Sequence, residues 1–353
     1  MSDKMIKVGI THGDINGISY ELILKTFEDN RIYESCVPII YGSSKVLAYH
    51  RKLLNLPSPN ISTINTSKDA GHNRLNIINC GNEDVAVELA KLTEDSSKLE
   101  KLALERAVED LKSGLIDTLL TAPSTQEETS FLTEKIGNGK DALNILVNDS
   151  FRVALASGQM PLADVSSYLT SDLLAARISA LHSSLVHDFM ITLPRIAVLS
   201  LNPGMGIKEQ RYGREENEVV IPAIKSAADM GITCFGPYSA DDFFGSDDYM
   251  KFDAVLAMYY DQGIIPFRAI SLGRGAYYTA NLPFIRIASE HGVSYEKAGK
   301  NEIFPDSLRN ALYLALDIFR NRKLDEKIYS NPLKKQYFEK GSDNEKLDLT
   351  KEE

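Results

Sequence analysis

Cysteine is scarce. Cys36, Cys80 and Cys234 are the only three in 353 residues, too few and too scattered for a disulfide framework or a zinc ribbon. Long apolar runs are missing as well. No segment approaches the roughly 18–20 apolar residues that a bilayer crossing needs, so no membrane role is expected. The opening Met1-Ser2-Asp3-Lys4 leads straight into a short strand-like run with no signal-peptide core, and the expected location is cytoplasmic. Positive charge is in deficit, with 39 Lys and Arg against 49 Asp and Glu and a net charge of −10. That balance argues against non-specific nucleic-acid binding, which needs a basic footprint. It does not exclude an anionic small substrate, because a few local Arg and Lys residues can outvote the global field.

The pattern that is present is strand alternating with helix. At 353 residues the chain is too long for one small core, and two α/β domains are expected. Strand-like runs fall at 5–10, 37–41, 75–78, 115–120, 152–156, 195–201 and 254–258. Helical spacing marks 96–113, 170–189, 215–230 and 307–320. The run 142–147 reads as a helical segment, 259–263 as a polar turn, and 126–139 gives no clear pattern. Such alternation implies a parallel sheet with ligands at the strand carboxyl ends. No low-complexity linker separates the halves, which implies a chain that crosses between domains more than once. The division expected is 1–125 plus 265–330 for one domain and 126–264 for the other, followed by a charged tail, 331–353.

The stretch 252–300 carries most of the polar groups that stand at the ends of apolar runs. Near the N-terminus, Thr11-His12-Gly13-Asp14-Ile15-Asn16-Gly17 links a strand to a helix whose first N–H groups can hold an anion. This is not GxGxxG, so a Rossmann fingerprint is not supported. His12 and Asp14 are open to two readings, ligand contact or, for Asp14, helix capping.

Several motifs stand in order along the chain: THGDINGISYE (11–21), TAP (121–123), RVALASGQMPLADV (152–165), LNPGMG (201–206), GPYSAD (236–241), AMYYDQG (257–263) and LPFIR (282–286). With them the sequence resembles the NAD-dependent 4-hydroxythreonine-4-phosphate dehydrogenases (PdxA) of pyridoxal 5′-phosphate biosynthesis, over nearly its whole length. EHGVSYEKAGK (290–300) is similar to the adenosine-binding loop of the wider isocitrate and isopropylmalate dehydrogenase group. The resemblance implies two α/β/α domains around a cleft, completed by a second subunit in a homodimer. It also implies a small phosphorylated metabolite as substrate, with NAD oxidising the C3 hydroxyl of 4-phosphooxy-threonine before CO2 is lost. A divalent metal held by three histidines polarises the reacting oxygen in that family.

The same resemblance marks a departure. The three metal-ligand positions hold Gln159, Gly204 and Tyr260, and none of these replaces an imidazole for a borderline metal. No metal is therefore expected here. Glu128-Thr129 aligns with the family's substrate-binding His-Thr pair, Arg268 with its lysine after the DQG turn, Tyr277 with its asparagine after GRG, and Gln126 with its lysine after TAP. Asp241, Asp261, Arg286, His291 and Gly292 fit the family pattern. The candidate catalytic residues are thus Asp261, Asp241 and Arg268, and the candidate substrate-binding residues Thr129, Arg268, Arg286 and Tyr277. For NAD they are His291, Gly292, Ser294 and Gly299, with Val293-Ser294 in place of the usual small pair implying weaker binding. Two functions stay open: an altered dehydrogenase with Tyr260 or Asp261 as base, and a non-catalytic ligand-binding or partner subunit. Tyr260 is expected to fill the vacated metal cavity between the Gln159 and Gly204 turns.

Overall fold

The computed structural model describes residues 5–81 and 85–330; the charged tail, 331–353, lies outside the described residues. Parallel strands buried on both faces read as near-continuous apolar runs, and IKVGIT and CVPIIYG obey this, forming β1 (Ile6–Thr11) and β2 (Cys36–Gly42). They are followed by β3 (Ile61–Thr63), β4 (Leu75–Asn79), β5 (Thr118–Thr121), β6 (Leu143–Val147), β7 (Arg152–Leu155) and β8 (Ile196–Leu199). The last four are β9 (Cys234–Tyr238), β10 (Ala254–Ala257), β11 (Ala276–Ala280) and β12 (Arg286–Ser289).

All twelve join one sheet in the order β3-β4-β2-β1-β5-β12-β11-β6-β7-β10-β8-β9. Pairing is parallel from β3 to β12 and again from β7 to β9. The three junctions β12–β11, β11–β6 and β6–β7 are antiparallel. An odd number of reversals means that the two parallel blocks run in opposite directions. Strands from 1–125 and 265–330 make up one part of the order, and strands from 126–264 the other.

Helices cover the sheet through apolar faces at helical spacing. Helix Glu94–Lys112 starts at a reciprocal cap, Thr93 Oγ1 accepting from Ser96 N at 3.1 Å and Ser96 Oγ from Thr93 N at 3.3 Å. It buries Leu99, Ala103, Ala107 and Leu111. Helix Asp306–Tyr329 buries Leu308, Ala311, Leu312, Ala315 and Leu316 against β5, β11 and β12. All three cysteines are buried and unpaired by disulfide. Among the described residues no helix is long and apolar enough to cross a membrane.

Two expected elements are corrected. The run 142–147 is not helical; it forms β6, inserted antiparallel between β11 and β7. Five residues rich in apolar side chains fit a buried strand or a buried helical turn equally well, and pairing on both sides decides. The polar run 259–263 is the start of helix Tyr260–Ser271, not a free turn. The polar segment 126–139 contains helix Glu128–Ile136.

One buried network ties the two parts together. Asp188 caps the carboxyl end of helix Ser171–His187, where a negative charge opposes the helix dipole. Its carboxylate accepts from Tyr278 Oη at 2.6 Å, Ser184 Oγ at 2.8 Å and Arg322 Nε at 2.6 Å. Burial and the neighbouring Asp188 charge hold the Tyr278 phenol in its protonated form. Removing one partner of a buried pair leaves the other charge uncompensated. We expect Arg322→Met to lower the unfolding free energy by about 3 kcal/mol, measured by urea denaturation. A change indistinguishable from zero would contradict this account.

Candidate functional site

The carboxyl ends of β5, β7 and β12 open on one polar cleft of about 860 Å³, as expected for an α/β sheet. From β5 the chain continues through Thr121-Ala122-Pro123-Ser124, all on the cleft wall. Glu100 holds this loop from below, accepting from Ser124 Oγ at 2.6 Å and Thr125 N at 2.9 Å. Burial pushes the Glu100 carboxyl up to about 7. The segment then turns into helix Glu128–Ile136, whose first residue reaches into the cleft.

Arg286 opens β12 and is only 6% exposed. Nη1 donates to Thr279 Oγ1 of β11 at 3.0 Å, Nη2 to Thr121 Oγ1 of β5 at 2.8 Å, and Nη2 also bonds the Glu128 carboxylate. Glu128 is 8% exposed, so the ion pair is buried on both sides. Two other arginines share the cleft. Arg177 donates from Nη1 to Ala142 O at 2.8 Å. Arg268, with a side chain 51% exposed, donates from Nη2 to Glu290 O at 3.3 Å.

On another part of the wall, Tyr260 and Tyr277 bring their hydroxyl oxygens within 3.4 Å. Burial raises the Tyr277 phenol well above its ordinary pKa, so Tyr277 stays protonated. Gln159 lines the same cleft and is exposed. Gly204 is not among the lining residues; its N–H donates to Ser239 Oγ at 3.2 Å in a turn braced by Glu216. The Tyr260 hydroxyl is directed to Tyr277, and nothing pairs it with the Gly204 turn. Chemically the three positions offer an amide oxygen, no side chain and a phenol. No three of His, Cys, Asp and Glu gather as a metal-ligand set among the described residues.

The loop after β12 docks on the N-terminal turn. Ile18 N donates to Val293 O at 3.2 Å, and the Tyr295 hydroxyl bonds the Asp14 carboxylate. Gly17 permits the approach, since a Cβ there would stand 2.7 Å from Val293 Cγ1. His291 lines the cleft with its Nδ1 buried and without a partner. Burial, with Lys297 and Arg268 nearby, lowers its pKa and keeps the ring neutral. Gly292 faces open space. An orphaned imidazole nitrogen beside an open backbone is a place where a ligand's polar edge fits.

The cleft therefore brings together Thr129, Arg268, Arg286, Tyr277, His291 and Gly292. Asp241, Asp261, Ser294 and Gly299 do not line it. Asp261 sits exposed on the first turn of its helix. The neighbouring Gln262 points inward instead, accepting from Met258 N and donating to Ser200 O, both at 2.7 Å. Asp241 bonds Ser239 Oγ, which lowers its pKa. His12 is fully buried and stacked on Tyr20 at 5.5 Å, with burial lowering its pKa to about 4. Asp14 caps no helix; its Oδ1 accepts from Asn16 N at 2.8 Å within the turn. Arg177 on the cleft wall and Glu100 beneath its loop were not foreseen, because neither belongs to a sequence motif and only the fold brings them there.

A large, mostly parallel α/β sheet with a polar cleft at its strand ends places the protein among the α/β folds that house small-molecule ligands. The model of the family described as pyridoxal phosphate biosynthetic protein PdxA matches residues 34–315. The 4-hydroxythreonine-4-phosphate dehydrogenase of Bacteroides thetaiotaomicron is 46% identical, over 99% of this chain and 98% of its own length. That of Sulfurihydrogenibium sp. is 32% identical over 90% of this chain and 100% of its own. The crystal structure of the Klebsiella pneumoniae 4-hydroxythreonine-4-phosphate dehydrogenase superposes with a TM-score of 0.77 at 23% identity, covering 90% of this chain and 99% of that one. The chain belongs to the PdxA family.

Glu100 supplies a pH signature. Its ordinary value is 4.5, and in the folded protein it keeps its proton up to about 7. Between those values the native state binds more protons than the unfolded one, so this contribution falls as pH rises and is constant above 7. We expect the stability of the wild type relative to Glu100→Gln to decrease between pH 4.5 and 7 and then level off, by thermal denaturation. A difference flat across that window would contradict the assignment.

Proposed function

We propose that this chain is a PdxA-family protein in which metal-dependent oxidation of 4-phosphooxy-threonine is impaired, and whose cleft serves to bind a small phosphorylated metabolite. The observation that carries the reading is the donor set at Gln159, Gly204 and Tyr260. These residues do not fit a divalent cation of borderline softness, which takes imidazole, thiolate or carboxylate. The tyrosine pair at Tyr260 and Tyr277 supports the same reading, because two phenol hydroxyls in hydrogen-bond range partner each other without a cation.

The residues around the loop after β12 do fit NAD. His291 with its unpartnered Nδ1 and the open backbone at Gly292 would hold the adenosine part, and the bound nicotinamide would supply the hydride acceptor. In this reading the protein is a cytoplasmic homodimer. Its two domains follow the two parts of the sheet order, 1–125 with 265–330 and 126–264.

Metal-free oxidation by this chain has less support. Asp261 stands away from the cleft lining, and the Arg286 charge that would stabilise a developing oxyanion is already matched by Glu128.

The test is NADH formation from 4-phosphooxy-threonine and NAD, with and without added Zn²⁺ or Mg²⁺. The Bacteroides thetaiotaomicron relative serves as positive control. We expect no metal-stimulated turnover. Turnover that rises with added metal and vanishes with chelator would overturn the proposal.

A further inference from the structure

We infer that Glu128 is a specificity-determining residue: it is an internal counter-anion that occupies Arg286 and closes that wall of the cleft to anionic ligand groups. A guanidinium on a cleft wall ordinarily recruits a carboxylate or phosphate from solution through paired N–H donors. Here the Arg286 charge is met by a carboxylate of the chain itself, and only its buried Nε is without a partner. Thr279 and Thr121 take one bond each from Nη1 and Nη2, and the Glu128 carboxylate takes the charge. Both side chains of the pair are under a tenth exposed, so an external anion would have to displace Glu128 and leave a carboxylate buried without its cation. That costs more than an anion from water recovers.

The other two cleft arginines are placed differently. Arg177 is largely buried and bonds the Ala142 carbonyl. Arg268 is the half-exposed one. Its Nε stands 3.8 Å from Glu290 Oε1. Glu290 itself is engaged by Gly275 N at 2.7 Å and Ser271 Oγ at 3.0 Å. Arg268 is therefore the cleft arginine whose donors a ligand can reach; the Nε groups of Arg177 and Arg286 also lack partners but are buried. The ligand class that follows carries its phosphate or carboxylate to Arg268 and presents no second anion to the Arg286 wall.

This inference rests on the cleft being a ligand site, and not on the loss of metal chemistry. Metal-dependent turnover would leave it standing. The experiment titrates the full chain with inorganic phosphate by calorimetry, comparing wild type, Glu128→Gln, Glu128→Gln/Arg286→Met, Arg268→Ala and the charge-balanced Glu128→Met/Arg286→Met. We expect Glu128→Gln to bind phosphate at least about tenfold tighter than wild type, and the gain to vanish in the Glu128→Gln/Arg286→Met protein. Arg268→Ala should weaken wild-type binding at least about tenfold. The charge-balanced double variant, which leaves no unpaired buried charge, should bind as the wild type does. It keeps the test decisive even if Glu128→Gln does not fold. Loss of phosphate binding in that double variant, or a Glu128→Gln protein that binds no tighter than wild type, would overturn the inference.

Discussion

The cleft depends on one buried guanidinium. Arg286 joins three neighbouring strands and a helix, because Thr121 belongs to β5, Thr279 to β11, and Glu128 to the first turn of helix Glu128–Ile136. A cation taken out of water is tolerable when its charge and most of its donors are answered, as here, where Nε alone is left without a partner. Answering them pins the polar segment after β5 against the sheet and fixes where the cleft wall lies. The same requirement that stabilises the wall removes Arg286 from solution chemistry.

A comparable compensation recurs where the two parts of the sheet meet. The reversal through β12, β11, β6 and β7 brings helix Ser171–His187 beside helix Asp306–Tyr329. There Asp188 meets Arg322, Tyr278 and Ser184. Charges buried at both places are matched within the chain. The cleft that opens between the strand ends owes its shape to these internal pairs, and the tyrosines at 260 and 277 meet on another part of its wall.

How much of this was legible in the sequence varies with the range of the interaction. β2 and helix Glu94–Lys112 follow from local pattern alone, since CVPIIYG is apolar throughout and Leu99, Ala103, Ala107 and Leu111 repeat at helical spacing. β6 was misread as helical, because its identity depends on pairing with β7 just beyond it and with β11 more than a hundred residues away. Asp261 looked like a site residue for a similar reason. Its place in the motif is clear, but helix Tyr260–Ser271 turns Gln262 inward and leaves Asp261 outside. His291 was legible as a cleft residue through the loop EHGVSYEKAGK, and Thr129, Arg268 and Tyr277 only through the positions they align with in the family. The pairing of Glu128 with Arg286 spans 158 positions. No spacing rule relates them, and the glutamate aligned with the family's histidine is the partner of the arginine beside it.

The central claim is that the positions 159, 204 and 260 no longer support metal-dependent chemistry. Elemental analysis of the purified full chain tests it most directly, after dialysis against zinc- and magnesium-supplemented buffer and desalting. The account predicts zinc and magnesium at background level, with thermal stability unchanged by a chelator. Stoichiometric metal that survives desalting, is stripped by chelator and is lost in Tyr260→Phe would contradict it.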